Sequence, residues 1–129
     1  MNKEIVIYDK NPNLSMVLSL FLEQLTVQYA LTLQDIEKEL SHTSRLLLIV
    51  EHEFHLNTAL RIQDYQRHYP QLKSIYLSNS QKKILQWQAH VDKKLSDWNL
   101  GDHRLTRLIQ EMTKTHCLST LQKQGLKDF

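Results

Sequence analysis

Side chains that can bind a metal ion or transfer a proton are most concentrated in the segment Glu51-His52-Glu53-Phe54-His55. Its two histidines are separated by two residues, and a pair of imidazoles with one carboxylate is a ligand set that suits Zn²⁺. No cysteine and no further group of histidines lies near the segment in the sequence. An exposed polar loop explains these residues more simply than a metal site, so we predict no bound metal and no cofactor.

The single cysteine, Cys117, follows His116, and such a pair can supply a thiolate nucleophile. The sequence offers no third residue near it to orient the histidine, so we predict a cysteine without a catalytic role and a protein that is not an enzyme. One cysteine excludes an internal disulfide and favours a reducing compartment, which predicts a cytoplasmic location. No stretch of the sequence approaches the roughly 18 consecutive apolar residues that cross a membrane.

A second set of reactive side chains stands at or just after the ends of short apolar segments. The set consists of Asp9, Lys10, Glu51, Ser78 and Lys93. The carboxyl ends of parallel strands meet at one edge of a sheet, which is where α/β proteins place their binding sites. If the apolar segments are parallel strands, these five side chains come together at that edge.

The apolar segments alternate with segments whose apolar residues have helical spacing. The predicted strands are residues 4–8, 27–31, 46–50, 74–77 and 89–92. The predicted helices are residues 14–25, 33–41, 56–69, 81–88 and a last one from about 100 or 102 to 114. This alternation predicts right-handed crossovers and a parallel sheet between two layers of helices.

Three of these elements carry more specific predictions. The segment Leu46–Val50 is apolar throughout, as expected of a strand covered on both faces. Thr32 is predicted to cap the helix at residues 33–41, with Asp35 three residues later. Leu56 and Leu60 are predicted to face inward from the helix at residues 56–69, with Ile62 and Tyr65 as further candidates.

At its strand ends the chain resembles the receiver domain of bacterial two-component response regulators, over about residues 4–114. The matching motifs are Ile5-Val6-Ile7-Tyr8-Asp9-Lys10-Asn11-Pro12, Leu46 to Glu51, Tyr76-Leu77-Ser78-Asn79 and Val91-Asp92-Lys93. The resemblance implies a flavodoxin-like three-layer α/β/α sandwich with a five-stranded parallel sheet. It also implies a receiver-like domain over residues 1–114, followed by a tail or helix extension over residues 115–129.

The resemblance assigns roles to the strand-end residues, and it also shows where this chain departs from the family. Asp9 resembles the first acid that holds Mg²⁺ in receivers, but Lys10 replaces the second acid. Glu51 replaces the aspartate that accepts the phosphoryl group, while Ser78 takes the hydroxyl position. Lys93 takes the lysine position, followed by another lysine instead of proline.

The lysine comes only 15 residues after Ser78, which predicts a shortened helix between them. An alternative register places Ser96 at the lysine position. Loss of one metal carboxylate, a cation in its place and a longer acceptor side chain all oppose phosphoryl transfer. We therefore predict a pocket that is not phosphorylated. Such a pocket either imitates the phosphorylated state or remains as a structural element that fixes the loops.

An interaction face is predicted in the region from residue 81 to residue 114. Its residues are Trp87, Lys94, Trp98, Arg104 and Leu108. Aromatic residues among cations suit a protein interface, although burial of both tryptophans in the core is an equally good explanation. The scattered basic residues and a net charge of +2 do not favour a nucleic-acid partner.

The sequence thus predicts a pseudo-receiver that acts in signal transduction or transcriptional regulation. It would bind a protein partner, a second copy of itself, or both, without phosphorylation. Two alternatives stay open. One is a receiver that accepts a phosphoryl group at Glu51 or Asp9, and the other is the N-terminal regulatory domain of a DNA-binding regulator.

Overall fold

The computed structural model describes residues 4–9, 26–99 and 103–113. The predicted helix over residues 14–25, the side chain of Lys10 and the tail over residues 115–129 lie outside these ranges. Strands and helices are numbered within the described part of the chain.

Five parallel strands form one sheet in the order β2-β1-β3-β4-β5. The strands are β1 (Ile5–Tyr8), β2 (Val27–Ala30), β3 (Leu46–Val50), β4 (Lys73–Ser78) and β5 (Lys93–Ser96). Every residue of β3 is buried, because β3 pairs with a strand on each side and is covered on both faces. This is the predicted flavodoxin-like fold with a five-stranded parallel sheet.

The described helices lie on both faces of the sheet. They are α1 (Leu33–Glu39), α2 (Leu56–His68), α3 (Gln81–Trp87) and α4 (residues 103–113), with a short 3-10 helix (Gln88–His90) after α3. One core cluster joins α1, α2 and α3 to alternate residues of the strands, and the other joins α4 to the opposite face. The short α3 agrees with the shortened helix that the sequence predicts.

The start of α1 has the predicted cap. Thr32 Oγ1 accepts a hydrogen bond from the Asp35 backbone N–H at 3.1 Å, and the Asp35 carboxylate accepts one from the Thr32 N–H at 3.2 Å. This reciprocal pair satisfies two of the backbone donors that a helix start leaves without partners. The side chains of Thr32 and Asp35, which are three residues apart, therefore fix where the helix begins.

The inward face of α2 agrees with the prediction for Ile62 and differs from it for Leu56 and Leu60. Ala59 and Ile62 are its buried residues, whereas Leu56 is 54% exposed and Leu60 is 44% exposed. Ala59 and Ile62 pack in the core cluster against the sheet, so the flank that carries the two leucines faces away from it. The helix ends at His68, two residues before Pro70, as expected of a residue that disfavours helix before it.

The last strand also lies later than predicted. Residues 88–90 form the 3-10 helix, and β5 begins at Lys93. The Asp92 carboxylate accepts hydrogen bonds from the Ser74 N–H at 2.8 Å and from Gln66 Nε2 at 2.6 Å. These bonds attach the chain to the start of β4 and to α2 before β5 begins. Two lysines at the edge of the sheet make the true strand difficult to see in the sequence.

Within residues 4–9, 26–99 and 103–113, none of the helices has both the length and the apolar character needed to cross a membrane.

Candidate functional site

Acidic and hydroxyl side chains meet at the carboxyl edge of the sheet, as the sequence predicts. Asp9 directly follows β1, is nearly buried, and donates its N–H to the Ala30 carbonyl at 3.1 Å. Glu51 directly follows β3, and its N–H donates to the Leu77 carbonyl at 2.8 Å. Ser78 ends β4 and is fully buried. The sheet therefore places three of the five predicted residues at one edge, while Lys10 lies outside the described residues.

The Glu51 carboxylate is held by groups from two other segments. Its Oε1 atom accepts a hydrogen bond from the Asn79 N–H at 2.6 Å and a longer one from the Trp98 indole N–H at 3.4 Å. Asn79 lies in the connection between β4 and α3, and Trp98 follows β5. A single carboxylate thus links the segments that follow β3, β4 and β5.

A lysine reaches this carboxylate from α3. Lys83 Nζ donates to the Glu51 backbone carbonyl at 3.2 Å and lies 4.0 Å from Glu51 Oε2. It also lies 3.4 Å from Glu53 Oε1. The lysine is mostly buried, so its charge is screened less than that of a solvent-exposed cation. Sequence analysis missed Lys83, because a side chain on a helix reaches a strand end only when the packing of that helix is known.

Ser78 and Ser80 fix the position of α3. Ser78 Oγ accepts a hydrogen bond from the Ser80 N–H at 2.9 Å, and Ser80 Oγ accepts one from the Lys83 N–H at 3.4 Å. The hydroxyl of Ser78 is therefore turned inward and shapes the turn that leads into the helix. The position of this turn therefore determines where the Lys83 ammonium group lies.

The register of β5 corrects the prediction for Lys93. Lys93 is the first residue of β5, pairs with Ile75 and is exposed, whereas Ser96 ends the strand and pairs with Ser78. At about 3.3 Å per residue, Lys93 lies about 10 Å along the strand from the carboxyl edge. The alternative register, with Ser96 at that edge, is the one that the structure shows. Among the residues that the structure describes, the cation beside Glu51 is Lys83.

The residue after Glu51 links this site to the core. The His52 carbonyl accepts hydrogen bonds from the Tyr76 hydroxyl at 2.7 Å and from the Trp87 indole N–H at 3.0 Å. The His52 ring stacks on Tyr8, with 3.7 Å between the ring centres. Burial is the main cause that raises the pKa of Tyr76 to about 12. The backbone at residues 51 and 52 is therefore held by side chains from β4 and α3.

Trp87 does not contribute to the predicted interaction face. It is fully buried, stacks on Tyr76 and packs edge-on against Phe54, because its position three residues after Ile84 places it on the inward side of α3. The spacing of these two apolar residues was the signal in the sequence that favoured the core. For Trp87, burial in the core is therefore the explanation that holds.

The other four residues of the predicted face surround β5. Lys94 is exposed and donates a hydrogen bond to Gln88, and Arg104 is exposed and donates to the Asp97 carbonyl at 2.7 Å. Trp98 and Leu108 are half-buried and pack against the core cluster on the α4 side of the sheet. Trp98, Arg104 and Leu108 thus lie on the α4 side of the sheet, whereas Lys94, which is bound to Gln88, lies on the α3 side of β5.

The residues at the carboxyl edge do not fit the Mg²⁺ ion that the resemblance to receivers implies. The Glu51 carboxylate receives two N–H donors and an ammonium group, which suits a hydrogen-bond acceptor and not a metal ligand. His52 is buried against Tyr8, while His55 is exposed at the start of α2. Among the residues that the structure describes, no group of three or more His, Cys, Asp or Glu is arranged to hold a metal.

No protein-family model matches the chain, and no curated protein matches it in sequence. Several solved structures are similar in fold. A pilus assembly-related protein from Burkholderia pseudomallei has a TM-score of 0.64 and 15% identity, over 88% of this chain and 92% of that one. The CheY-like protein TadZ from Pseudomonas aeruginosa has a TM-score of 0.60 and 17% identity, over 86% and 99%.

A third similar structure is that of an adenylate cyclase from Rhodopirellula baltica, with a TM-score of 0.66 and 14% identity over 100% of both chains. Identities this low show a shared fold alone. Together with the strand order and the CheY-like neighbour, they show that the chain has a receiver-like fold.

Proposed function

We propose that the protein is a pseudo-receiver, which acts in signal transduction or transcriptional regulation by binding another protein without being phosphorylated. One observation carries this proposal. The carboxylate at the acceptor position, that of Glu51, already holds the Asn79 N–H and the Trp98 indole and lies beside the Lys83 ammonium group. A carboxylate with these partners is poorly placed to attack a phosphorus atom, because in-line attack requires a reacting oxygen that is correctly aimed and available.

The same contacts support the hypothesis that the pocket imitates an activated receiver. The Glu51 carboxylate supplies a fixed negative charge at the edge of the sheet, and Lys83 supplies the neighbouring cation. The connection after β4 and the segment after β5 are both bound to this anion. In this proposal the carboxylate replaces a phosphoryl group as the anion that orders the surrounding segments.

The proposed binding surface is the edge of the molecule around β5, with Trp98, Arg104 and Leu108 on its α4 side and Lys94 on its α3 side. Trp98 is shared by this surface and the Glu51 site, because its indole ring packs on the core while its N–H meets the carboxylate. Similar structures described as CheY-like or pilus assembly-related proteins support a role within a protein assembly. The cytoplasmic location, the lack of enzymatic activity and the domain boundary at residue 114 form part of this proposal.

Incubation of the full chain with acetyl phosphate and Mg²⁺, followed by intact mass measurement, tests the proposal. We expect no phosphoryl adduct, while a phosphorylatable receiver treated in parallel gains one. Capture of partner proteins on the immobilised chain is expected to be the same with and without the phosphodonor. An adduct, or capture that depends on the phosphodonor, would show the alternative function. In that event the variants Glu51→Gln and Asp9→Asn identify the acceptor.

A further inference from the structure

The strand β5 lies at an edge of the sheet and, within the described part of the chain, pairs with β4 alone. The Asp92 N–H donates to the Ser74 carbonyl at 3.1 Å, and the backbone groups of successive residues in a strand point to opposite sides. Lys94 therefore bonds to β4 as well, whereas Lys93 and Leu95 direct their N–H and C=O groups away from the sheet. These groups form a free edge to which another strand can bond.

Positive charge lies on both faces of this free edge. Lys93 is exposed on the α4 side, and Lys94 is exposed on the α3 side, where it donates a hydrogen bond to the uncharged Gln88 side chain. Lys73, the exposed first residue of β4, is on the same face as Lys93, because Ile75 lies two residues after Lys73 and pairs with Lys93. Among the described residues, none of these three lysines forms an ion pair.

The two aspartates that flank β5 leave its lysines available to a partner. The Asp92 carboxylate accepts hydrogen bonds from the Ser74 N–H and from Gln66 Nε2, which direct it toward β4 and α2. Asp97 follows the strand at its other end, where its carbonyl accepts a hydrogen bond from Arg104 at 2.7 Å. The positive charge is therefore concentrated at the amino-terminal half of β5, beside the free N–H and C=O groups.

We propose that the free edge of β5 receives an extended acidic segment of a partner protein, which adds to the sheet as a further strand. The backbone of this segment bonds to the N–H and C=O groups of Lys93 and Leu95. Its carboxylates meet Lys93 on one face of the sheet and Lys94 on the other. This inference rests on the proposed function and adds the chemistry of the partner and its mode of binding.

Charge and backbone chemistry distinguish this occupant from three others. Residues 114–129 of the same chain contain three lysines and one aspartate, so they do not complement the lysines of β5. A second copy of β5 places like charges opposite each other, which is destabilising. A nucleic acid gains little from three cations and has no backbone that pairs with the N–H and C=O groups of a strand. Lysines at an edge oppose pairing with most strands, and an acidic strand is the kind that they attract.

Fluorescence anisotropy of a labelled short peptide, in which glutamate alternates with threonine, tests the charge requirement on the full chain. Lys93→Glu and Lys94→Glu are each expected to raise the dissociation constant by about tenfold, because each replaces an attraction with a repulsion. The matched control is Lys38→Glu on α1, which packs beside β1 and β2 at the far side of the sheet, and it is expected to change the constant by less than about twofold. Circular dichroism checks that each variant is folded.

Three outcomes of this measurement overturn the proposal. The first is a wild-type chain that does not bind the acidic peptide. The second is an equal loss of binding in Lys93→Glu, Lys94→Glu and Lys38→Glu, which would mean that net charge alone attracts the peptide. The third is tighter binding of a labelled oligothymidylate than of the peptide, which would make a nucleic acid the better occupant.

Strand addition is tested separately from charge. The same peptide with every backbone nitrogen methylated keeps its carboxylates but donates no backbone hydrogen bonds, so it is expected to bind about tenfold more weakly or worse. When the unmethylated peptide is bound, the Lys93 and Leu95 amides are expected to change from fast to slow hydrogen exchange, as measured by NMR. Equal binding of the methylated peptide, or fast exchange of both amides at saturation, overturns strand addition. Neither measurement depends on phosphorylation, so failure here is distinct from failure of the proposed function.

Discussion

Glu51 holds a backbone conformation that residues with a β-carbon usually avoid. Its φ angle is 57°, in the left-handed region, and it precedes a histidine whose carbonyl is bound twice. This conformation costs a residue other than glycine about 1–2 kcal/mol. The bonds to Asn79 and Trp98 offset part of that cost. Hydrogen bonds of the Glu51 side chain thus help to hold the backbone at the end of β3 in this conformation.

Replacing Glu51 with glycine or with alanine separates the cost of the positive φ angle from the stabilisation by the carboxylate. Both remove the carboxylate, but only alanine keeps the β-carbon, so we expect Glu51→Gly to be more stable than Glu51→Ala by about 1 kcal/mol. Urea unfolding measures the difference. At Glu53, which has no positive φ, the order should reverse, because glycine there gains freedom only in the unfolded chain. The same order at both positions would argue against strain at Glu51.

At the residue scale, the sequence predicts part of the site. Asp9, Glu51 and Ser78 were found because a strand end can be recognised from its apolar run, and parallel strands bring their ends together. Lys83 was missed because it reaches the site from a helix, which only the packing of that helix reveals. Lys93 was misplaced because the last strand was predicted four residues too early.

The helix starts differ in how well they are capped. Thr32 and Asp35 cap α1 from both sides, whereas His55 at the start of α2 makes no capping hydrogen bond through its side chain. The first turn of α2 also lacks an acidic residue. A helix start of this kind leaves its backbone N–H groups to water and its dipole without a neighbouring negative charge.

Replacing His55 with aspartate is expected to raise the free energy of unfolding by about 1 kcal/mol, because a short carboxylate accepts a backbone hydrogen bond at the helix start and complements the dipole. The counterpart Thr32→Ala should lower it by a similar amount. Both are measured by denaturant unfolding at neutral pH. A His55→Asp variant no more stable than the wild type would mean that the loop before α2 cannot place its side chain over the helix.

At the scale of elements, the alternation of strands and helices was predictable and the orientation of single helices was not. Ile84 and Trp87 share the inward side of α3, but a helical apolar stripe fits an interface as well as a core. In α2 the sequence offers two stripes, one through Ala59 and Ile62 and one through Leu56 and Leu60. Only the packed structure shows which of the two stripes faces the sheet, and it is the one that contains Ala59 and Ile62.

The whole molecule is organised around β3, the central strand of the sheet. β3 is buried along its length and pairs with β1 and β4, while β5 lies at an edge and exposes Lys93 and Lys94. Opening of the sheet therefore requires much more surface to be exposed at its centre than at β5. Exposed lysines at an edge strand also discourage pairing with strands of other molecules.

Hydrogen exchange in the native state measures this gradient. Amides of β3 are expected to exchange only through global unfolding, whereas those of β5 exchange through smaller local openings and therefore faster. Mild denaturant should accelerate amide exchange strongly in β3 and weakly in β5, because the two opening reactions expose different amounts of surface. If β5 were as well protected as β3, its edge would have to be covered by another part of the protein or by a second molecule.

The two tryptophans have a practical consequence. Trp87 is enclosed in the core with its N–H on a carbonyl, while Trp98 is partly open to water with its N–H on the Glu51 carboxylate. The emission of an indole depends on the polarity of its surroundings, so the protein contains two natural fluorophores with different spectra. Trp98 reports on the site, and Trp87 reports on whether the domain is folded. Events at the carboxyl edge can therefore be followed optically without attaching a dye.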